Sequence, residues 1–211
     1  MIYYSKAFGV ILSLSISATA FADMIDDSSL EPWETCALCH GLYGDSVRSK
    51  FPKLAGQKVG YLSTQIKYFQ TGNRTNDGGQ MQSMVESLSN DDIKQIANWF
   101  SAQPAPKASR EKPSQADIDD LTAVLGDAPK QTCGTCHRAA SDDPQTTLPA
   151  ATLQVPFLHA QHADYLAKQM TDFKTGDRSS ASLHQPLLKD MSPAKIEILA
   201  QYYASQARAN N

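Results

Sequence analysis

The feature that most constrains the fold of this 211-residue chain is an internal repeat. A Cys-x-x-Cys-His sequence at residues 36–40 returns at residues 133–137. Further segments return in the same order, residues 51–57 as 155–161, 61–62 as 165–166, 69–74 as 173–178 and 99–100 as 202–203. Such self-similarity indicates that one structural unit has been used twice. The sequence therefore predicts two similar domains.

The residues before and between the two copies predict the domain boundaries. Lys6 is followed by an apolar run that ends in Ala20-Phe21-Ala22, a pattern typical of a signal peptide. Residues 103–113 contain three prolines and no large apolar side chain, as expected for an exposed linker. We predict a signal peptide at 1–22, a first domain at 23–102, a linker at 103–113 and a second domain at 114–211.

The composition limits the kinds of partner that the chain is expected to have. The leader's apolar run is interrupted by serines and is too short for a membrane span of about 20 apolar residues, so we do not expect a membrane-spanning protein. Lys and Arg number 19 against 22 Asp and Glu, and no basic block occurs. Because phosphate binding needs clustered Lys and Arg, nucleic acid is not an expected partner.

Each copy shows the periodicity of helices. Val59, Leu62, Ile66 and Phe69 recur at spacings of three and four residues, which places them on one face of a helix that Gly72 can end. Neither copy reads as a run of alternating strands. The predicted fold class is therefore all-α, with two tandem domains of the same design.

A final helix is predicted in both copies. Ser89 can cap its N-terminus with Asp92 at the third helical position, and Leu88 can pack onto Ile93 across the first turn. The second copy offers Ser192 as the cap, Pro193 at the first helical position and Met191 facing Ile196.

Cys-x-x-Cys-His is the attachment signal of a c-type haem. Two thiols separated by two residues on a helical turn can each bond one vinyl group, and the adjacent imidazole becomes the proximal iron ligand. We therefore predict two haem c groups, and a haem would supply the core that a small domain lacks. Attachment is expected through Cys36, Cys39, Cys133 and Cys136, with His40 and His137 as proximal ligands.

Other uses of the four cysteines explain the pattern less well. Structural disulfides are the usual expectation for an exported chain, but they leave the repeated histidines unexplained. A thioredoxin-like redox pair needs a βαβ context that the sequence does not offer. A zinc site would have to join two cysteine pairs that are roughly 100 residues apart, when the usual spacing is about 15 to 20.

Each haem iron also needs a sixth ligand or an open position. Met81 and Met84 are the candidates in the first copy, and His184 and Met191 are the candidates in the second. A histidine at 159 or 162 is a weaker candidate, because a local polar contact explains each of these residues better.

These residues resemble the cytochrome c4 family of two-domain class I bacterial cytochromes c. The resemblance covers nearly the whole mature chain and rests on the paired motifs, residues 51–57, Tyr61-Leu62, Gly72-Asn73-Arg74 and residues 88–93. It implies an all-helical pair of cytochrome domains whose haems face one another near the interface. It also implies electron delivery in the periplasm from a respiratory donor, such as a membrane complex, to a terminal oxidase or reductase.

The resemblance also orders the candidate ligands. In the family, the ligand methionine stands seven residues before the residue that precedes the capping Ser, which selects Met81 and leaves Met84 as a packing residue. The same count from Met191 reaches His184, where the family would place methionine. The haem of the second copy, haem 2, is then a bis-histidine haem. Ligation by Met191 stays open, because a loop can shift by several residues.

The expected difference in ligands predicts a direction for electron flow. Methionine ligation raises a haem potential relative to histidine ligation, so haem 1 of the first copy should be the more oxidising haem. Electrons would then enter through the second domain and leave from the first. The expected function is electron transfer rather than catalysis.

Other functions remain as alternatives. A dihaem peroxidase or a thiosulfate-oxidising dehydrogenase would need a labile sixth ligand. A haem-based sensor or a subunit of a larger respiratory complex is a third possibility.

Overall fold

A computed structural model describes residues 30–125, 133–137, 154–180 and 183–208 of the chain. The described residues form helices and contain no strand, which confirms the predicted all-α class. In chain order the helices are α1 (Pro32–His40), α2 (Val59–Gln70), α3 (Gln80–Val85), α4 (Asn90–Ser101), α5 (Gln115–Leu125), α6 (Ala163–Thr175), α7 (His184–Leu188) and α8 (Pro193–Ser205). The predicted signal peptide lies outside the described residues.

Helix α2 shows most of the predicted apolar face. Leu62, Ile66 and Phe69 are buried, and the helix ends at Gln70 shortly before Gly72, which has a φ of 73°. Val59, at the first position of the helix, is 39 % exposed. The helix therefore packs on the core through its second and third turns.

The capping box of α4 is confirmed. Ser89 Oγ accepts a hydrogen bond from the Asp92 backbone N–H, and the Asp92 side chain accepts one from the Ser89 backbone N–H at 2.8 Å. Two donors that the helix itself cannot satisfy are thereby paired. The cap starts α4 where Ile93 and Phe100 enter the core, and Leu88 packs against the same cluster.

Helices α1 and α4 contact one another through a pair of tryptophans. The rings of Trp33 and Trp99 are stacked with their centroids 3.8 Å apart and an interplanar angle of 11°. Aromatic pairs of this kind contribute beyond the area that they bury. The contact anchors α1, which carries the first Cys-x-x-Cys-His motif, on the last helix of the first half.

The second half repeats the order of helices α2, α3 and α4 in its helices α6, α7 and α8. Helix α6 ends at Thr175 and is followed by Gly176 in the left-handed conformation. Helix α8 begins after the Ser192 cap with Pro193 in its first turn, as predicted. Met191 and Ile196 lie in one buried cluster with the core residues of α8. Among the described residues, no helix is both long and apolar enough to cross a membrane.

The two halves of the repeat belong to one compact unit that begins at Glu31. Gln57 and Phe157 are joined by two hydrogen bonds of 3.0 and 2.9 Å, and Gln161 and Lys53 by two of 2.9 and 2.8 Å. In each pair the side-chain amide donates to a backbone carbonyl and accepts from a backbone N–H. Because Gln57 corresponds to Gln161 in the repeat, this junction has approximate two-fold symmetry.

The segment at residues 103–113 has no helix and is only partly exposed. Pro106 is buried, and the Ser109 backbone N–H donates to the Ala204 carbonyl at 2.8 Å. The predicted linker is therefore fastened to α8 rather than free along its length.

Candidate functional site

The imidazole of His40 stands at the end of α1 and is 5 % exposed. Its Nδ1 lies 2.8 Å from the Pro52 carbonyl oxygen. A carbonyl only accepts, so Nδ1 carries the proton and Nε2 keeps a lone pair for a metal. Burial lowers the pKa of His40, although the bond to Pro52 opposes this effect. The result is a neutral imidazole, oriented as metal-binding histidines usually are.

His137 has the same surroundings in the second half. Its Nδ1 lies 2.8 Å from the Pro156 carbonyl oxygen, and Pro156 corresponds to Pro52 in the repeat. Burial is the main cause that lowers the pKa of His137 to about 4. Both repeats therefore present a buried, neutral imidazole with Nε2 available.

The cysteines accompany these imidazoles on single turns of chain. Cys36 and Cys39 lie on α1, and the His137 backbone N–H donates to the Cys133 carbonyl at 2.9 Å in the second motif. All four cysteines are described, and none forms a disulfide. Burial raises the pKa of Cys36 to about 11. Each motif thus offers free thiols beside an imidazole, the set that c-type haem attachment requires.

Met81 and Met84 differ in their surroundings. Met81 packs against the core of the first half, whereas Met84 is 45 % exposed. The Asp77 carboxylate accepts hydrogen bonds from the Gly79 backbone N–H at 3.1 Å and from the Met81 backbone N–H at 2.5 Å. Asp77 thereby fixes the backbone from which the Met81 side chain projects.

The structure also aligns Leu88 with Met191. Gln70 Nε2 donates to the Leu88 carbonyl at 2.8 Å, and Lys174 Nζ, at the corresponding position, donates to the Met191 carbonyl at 2.6 Å. The Met191 side chain is 3 % exposed and belongs to the same buried cluster as Ile196. Met191 therefore occupies the packing position before the capping serine, as Leu88 does.

The imidazole of His184 lies close to that of His137 in the second half. The ring centroids of His137 and His184 are 5.8 Å apart, and the His184 ring stacks on Phe173 at 4.5 Å. Metal–imidazole bonds are about 2.0 Å long, so nitrogens bound to opposite sides of one metal are about 4 Å apart and their ring centres somewhat farther. The observed separation fits a pair of ligands that share one iron.

The remaining two histidines make local contacts. His162 precedes α6, and its Nε2 lies 2.8 Å from the Ser46 carbonyl oxygen of the first half. His159 stacks on Tyr203 with ring centroids 5.6 Å apart. The contact of His162 is of the local polar kind that the sequence favoured, whereas the contact of His159 is a ring stack.

A buried cluster at the junction of the halves was not among the predicted sites. The Arg74 guanidinium donates to Gln65 and Gln169 at 2.8 Å, and that of Arg178 donates to Gln169 at 2.7 Å and to Gln65 at 2.9 Å. Both arginines are less than 10 % exposed. The repeat of Gly-x-Arg at 72–74 and 176–178 was the available signal, but spacing alone does not show that the two arginines meet.

The charge of this cluster suits an anionic ligand. The side chains that accept from Arg74 and Arg178 are neutral amides and hydroxyls among the described residues. Arg178 Nε is buried and has no hydrogen-bond partner in the described part of the chain. A buried cation is costly unless an anion compensates it. Haem carries two propionates, so these residues fit the cofactor that the motifs predict.

An all-helical repeat with a buried imidazole and free thiols in each half defines a dihaem class I cytochrome c. Residues 31–103 match the sequence profile of the Cytochrome c family. The chain is 30 % identical to a cytochrome c4 of Pseudomonas aeruginosa, over 92 % of this chain and 95 % of that protein. The chain belongs to the cytochrome c4 family. It is thus an electron-transfer protein with two haem c groups.

Two further comparisons agree in fold and extent. A crystal structure of reduced cytochrome c4 from Pseudomonas stutzeri superposes with a TM-score of 0.63 at 28 % identity, over 82 % of this chain and 94 % of that one. A thiosulfate dehydrogenase electron acceptor of Thiomonas intermedia is 30 % identical over 82 % of this chain and 78 % of that protein.

Proposed function

We propose that this protein is a periplasmic carrier in which an electron enters at haem 2 and leaves from haem 1. The proposed iron ligands are His40 and Met81 for haem 1, and His137 and His184 for haem 2. The haem iron supplies a reversible one-electron change of oxidation state. The observation that carries the proposal is the 5.8 Å separation of the His137 and His184 rings.

Observations on both residues support His184, rather than Met191, as the sixth ligand of haem 2. The His184 ring is oriented by stacking on Phe173, at an interplanar angle of 14°. Met191 is buried in the core cluster of α8, and the bond from Lys174 to its carbonyl fixes its backbone. Ligation by Met191 would require that bond and that packing to be given up.

Met81 is supported over Met84 by the same kind of evidence. Asp77 holds the first turn of α3, so the Met81 side chain starts from a fixed point at the edge of the core. Met84 lies one turn later and is 45 % exposed.

The buried arginines at the junction would hold the haem propionates. Arg74 and Arg178 are tied together through shared amides, so an anion bound by one is coupled to the other. This arrangement would fix the two haems relative to one another. Fixed donors and acceptors need little reorganisation when charge moves.

The proposed direction of electron flow follows from the ligands. Methionine ligation gives the higher potential, so an electron shared between the haems favours haem 1. Electron entry through the second half and exit from the first would then be downhill. Equal midpoint potentials of the two haems would contradict this direction.

The deciding experiment is low-temperature electron paramagnetic resonance of the fully oxidised holoprotein beside its His184→Met and Met191→Leu variants. We expect two low-spin signals, of which the bis-histidine signal disappears in the His184 variant and persists in the Met191 variant. Loss of the haem 2 signal in the Met191 variant would instead assign that residue as the ligand. A high-spin signal in the unmodified protein would mean an open iron and would favour an enzyme.

The partners proposed are a thiosulfate dehydrogenase or a membrane respiratory complex as donor and a terminal oxidase or reductase as acceptor. The Thiomonas intermedia relative, named for accepting electrons from thiosulfate dehydrogenase, supports the first donor. Stopped-flow mixing of the oxidised protein with a thiosulfate-reduced dehydrogenase tests it. Haem reduction within a turnover is expected, and no reduction would remove this donor.

Export is proposed from the leader at residues 1–22, with the mature chain folding as the two predicted cytochrome domains. N-terminal sequencing of the protein recovered from the periplasm tests this proposal, with Asp23 expected as the first residue. A chain that keeps Met1 and stays in the cytoplasm would contradict it.

A further inference from the structure

We propose that Lys58, a residue of the first half, sets the potential of haem 2 by placing a positive charge beside the proximal ligand in the other half. The inference rests on the proposed role of His137 as that ligand. It does not depend on which residue binds the sixth position of haem 2.

The symmetric junction places the side chain of Lys58 against the second half. Lys58 directly follows Gln57, whose side-chain amide exchanges two hydrogen bonds with the backbone of Phe157. The same amide oxygen accepts from the Lys58 backbone N–H at 3.1 Å. The Lys58 Nζ then lies 4.7 Å from the centroid of the Phe157 ring. The cation is thus held over a residue of the second half.

Phe157 connects this cation to the proximal histidine. It follows Pro156, whose carbonyl accepts the hydrogen bond from His137 Nδ1 at 2.8 Å. Lys58 therefore stands next to the residue pair that orients His137. A cation at this position disfavours ferric iron bound to the His137 imidazole, because oxidation adds a positive charge nearby.

The repeat does not reproduce this cation in the first half. The position of Lys58 is taken by His162, whose Nε2 lies 2.8 Å from the Ser46 carbonyl oxygen and whose pKa is lowered, chiefly by burial. The position of Phe157 is taken by Lys53, which forms an ion pair of 3.1 Å with Asp45. The cation next to Pro52 is thus paired with a carboxylate of the first half, whereas Lys58 lies over Phe157 of the second half.

Another charged group shares the site. Arg208 lies over the same Phe157 ring at 5.2 Å and donates to the Ala55 carbonyl. Burial lowers the pKa of Arg208 to about 10, with Asp45 opposing this change, so it remains a cation at neutral pH. Its charge adds to that of Lys58, and a substitution of Lys58 alone leaves the contribution of Arg208 in place.

The sign of the effect follows from Coulomb's law. Oxidation of the iron adds one positive charge, so a nearby cation raises the potential. Lys58 is half-buried, where salt screens a charge less than at an open surface. Bis-histidine ligation lowers the potential of haem 2 relative to haem 1, and Lys58 acts against that difference. The cation would keep the two potentials close enough for the haems to share an electron.

The test is a spectroelectrochemical titration of the holoprotein and its Lys58→Gln and Lys58→Arg variants, with each haem assigned by electron paramagnetic resonance. In Lys58→Gln, the midpoint potential of haem 2 should fall while that of haem 1 stays. The distribution of one electron should shift about threefold to tenfold toward haem 1. The matched control is Lys94→Gln, which removes a lysine that is 70 % exposed and should move neither haem.

Retention of the haem 2 potential in Lys58→Arg would show that charge is responsible. An unchanged haem 2 potential in Lys58→Gln would overturn the inference. A fall of the haem 2 potential in Lys58→Arg as large as that in Lys58→Gln would also overturn it, and so would a fall of the same size in both haems. If the spectra of the unmodified protein assign Met191 rather than His184 to haem 2, the proposed ligands fail. The Lys58→Gln measurement stays valid in that case, because a fall of the haem 2 potential tests the charge of Lys58 whichever residue is the sixth ligand.

Discussion

The side chain of Gln57 exchanges two hydrogen bonds with the backbone of Phe157, a residue 100 positions later in the chain. The amide thereby satisfies both backbone groups of a residue that is 8 % exposed. Gln161 does the same for Lys53. In each half, one glutamine side chain thus forms hydrogen bonds with a backbone N–H and a backbone C=O of the other half.

Gln57→Leu should destabilise the protein strongly. The substitution leaves the N–H and C=O groups of Phe157 buried without their partner, and an unsatisfied buried group costs about 1–3 kcal/mol. We expect the free energy of unfolding of the holoprotein to fall by about 2–5 kcal/mol in guanidinium titrations. Gln82→Leu, at an exposed position of α3, is the matched control. Equal stability of the two variants would contradict the role of Gln57.

Gly56→Ala should cost more stability than Gly72→Ala. Both glycines have positive φ, 59° and 73°, which costs an alanine about 1–2 kcal/mol. A Cβ at Gly56 would also lie 3.0 Å from the Gln103 carbonyl oxygen and 3.1 Å from Arg208, whereas a Cβ at Gly72 would meet nothing within 4 Å. We expect losses of about 2–3 and about 1 kcal/mol by chemical denaturation. The same loss in both variants would show that only backbone strain matters.

Asp77→Ala should weaken the proposed bond between Met81 and the iron of haem 1. The carboxylate holds the backbone N–H groups of Gly79 and Met81, and loss of a group that orients a metal ligand costs about 10–100-fold in affinity. Added imidazole should therefore displace Met81 at about one tenth of the concentration needed in the unmodified protein. Visible spectra of the ferric form follow the exchange. Asp91→Ala, which removes a carboxylate that is 81 % exposed, should leave the imidazole titration unchanged.

Arg74 and Arg178 should be strongly coupled in a double-mutant cycle. They share Gln65 and Gln169 as hydrogen-bond acceptors, so replacing either with Met leaves both amides partly unsatisfied. Each single variant should lose about 2–4 kcal/mol of unfolding free energy. The double variant should differ from the sum of the single losses by about 1–3 kcal/mol. Simple additivity would mean that the two arginines act independently.

The sequence by itself determined what depends on local chemistry. Ser89 and Ser192 were assignable as caps, and Asp92 as the capping-box partner of Ser89, because a capping bond spans only three residues. The attachment motifs are equally local, since each thiol pair and its imidazole lie on one turn of chain. The repeat added the two-domain design, because residues in corresponding places must meet corresponding surroundings.

Only the tertiary structure decided what depends on groups far apart in the chain. The reciprocal bonds of Gln57, the meeting of Arg74 with Arg178, and the placement of Lys58 over Phe157 join positions from the two halves. Helical periodicity identifies which face of an element is buried, but it does not specify which distant polar group will satisfy a buried one. Such pairs form because a buried polar group without a partner is costly, and that cost exists only once the halves have packed together.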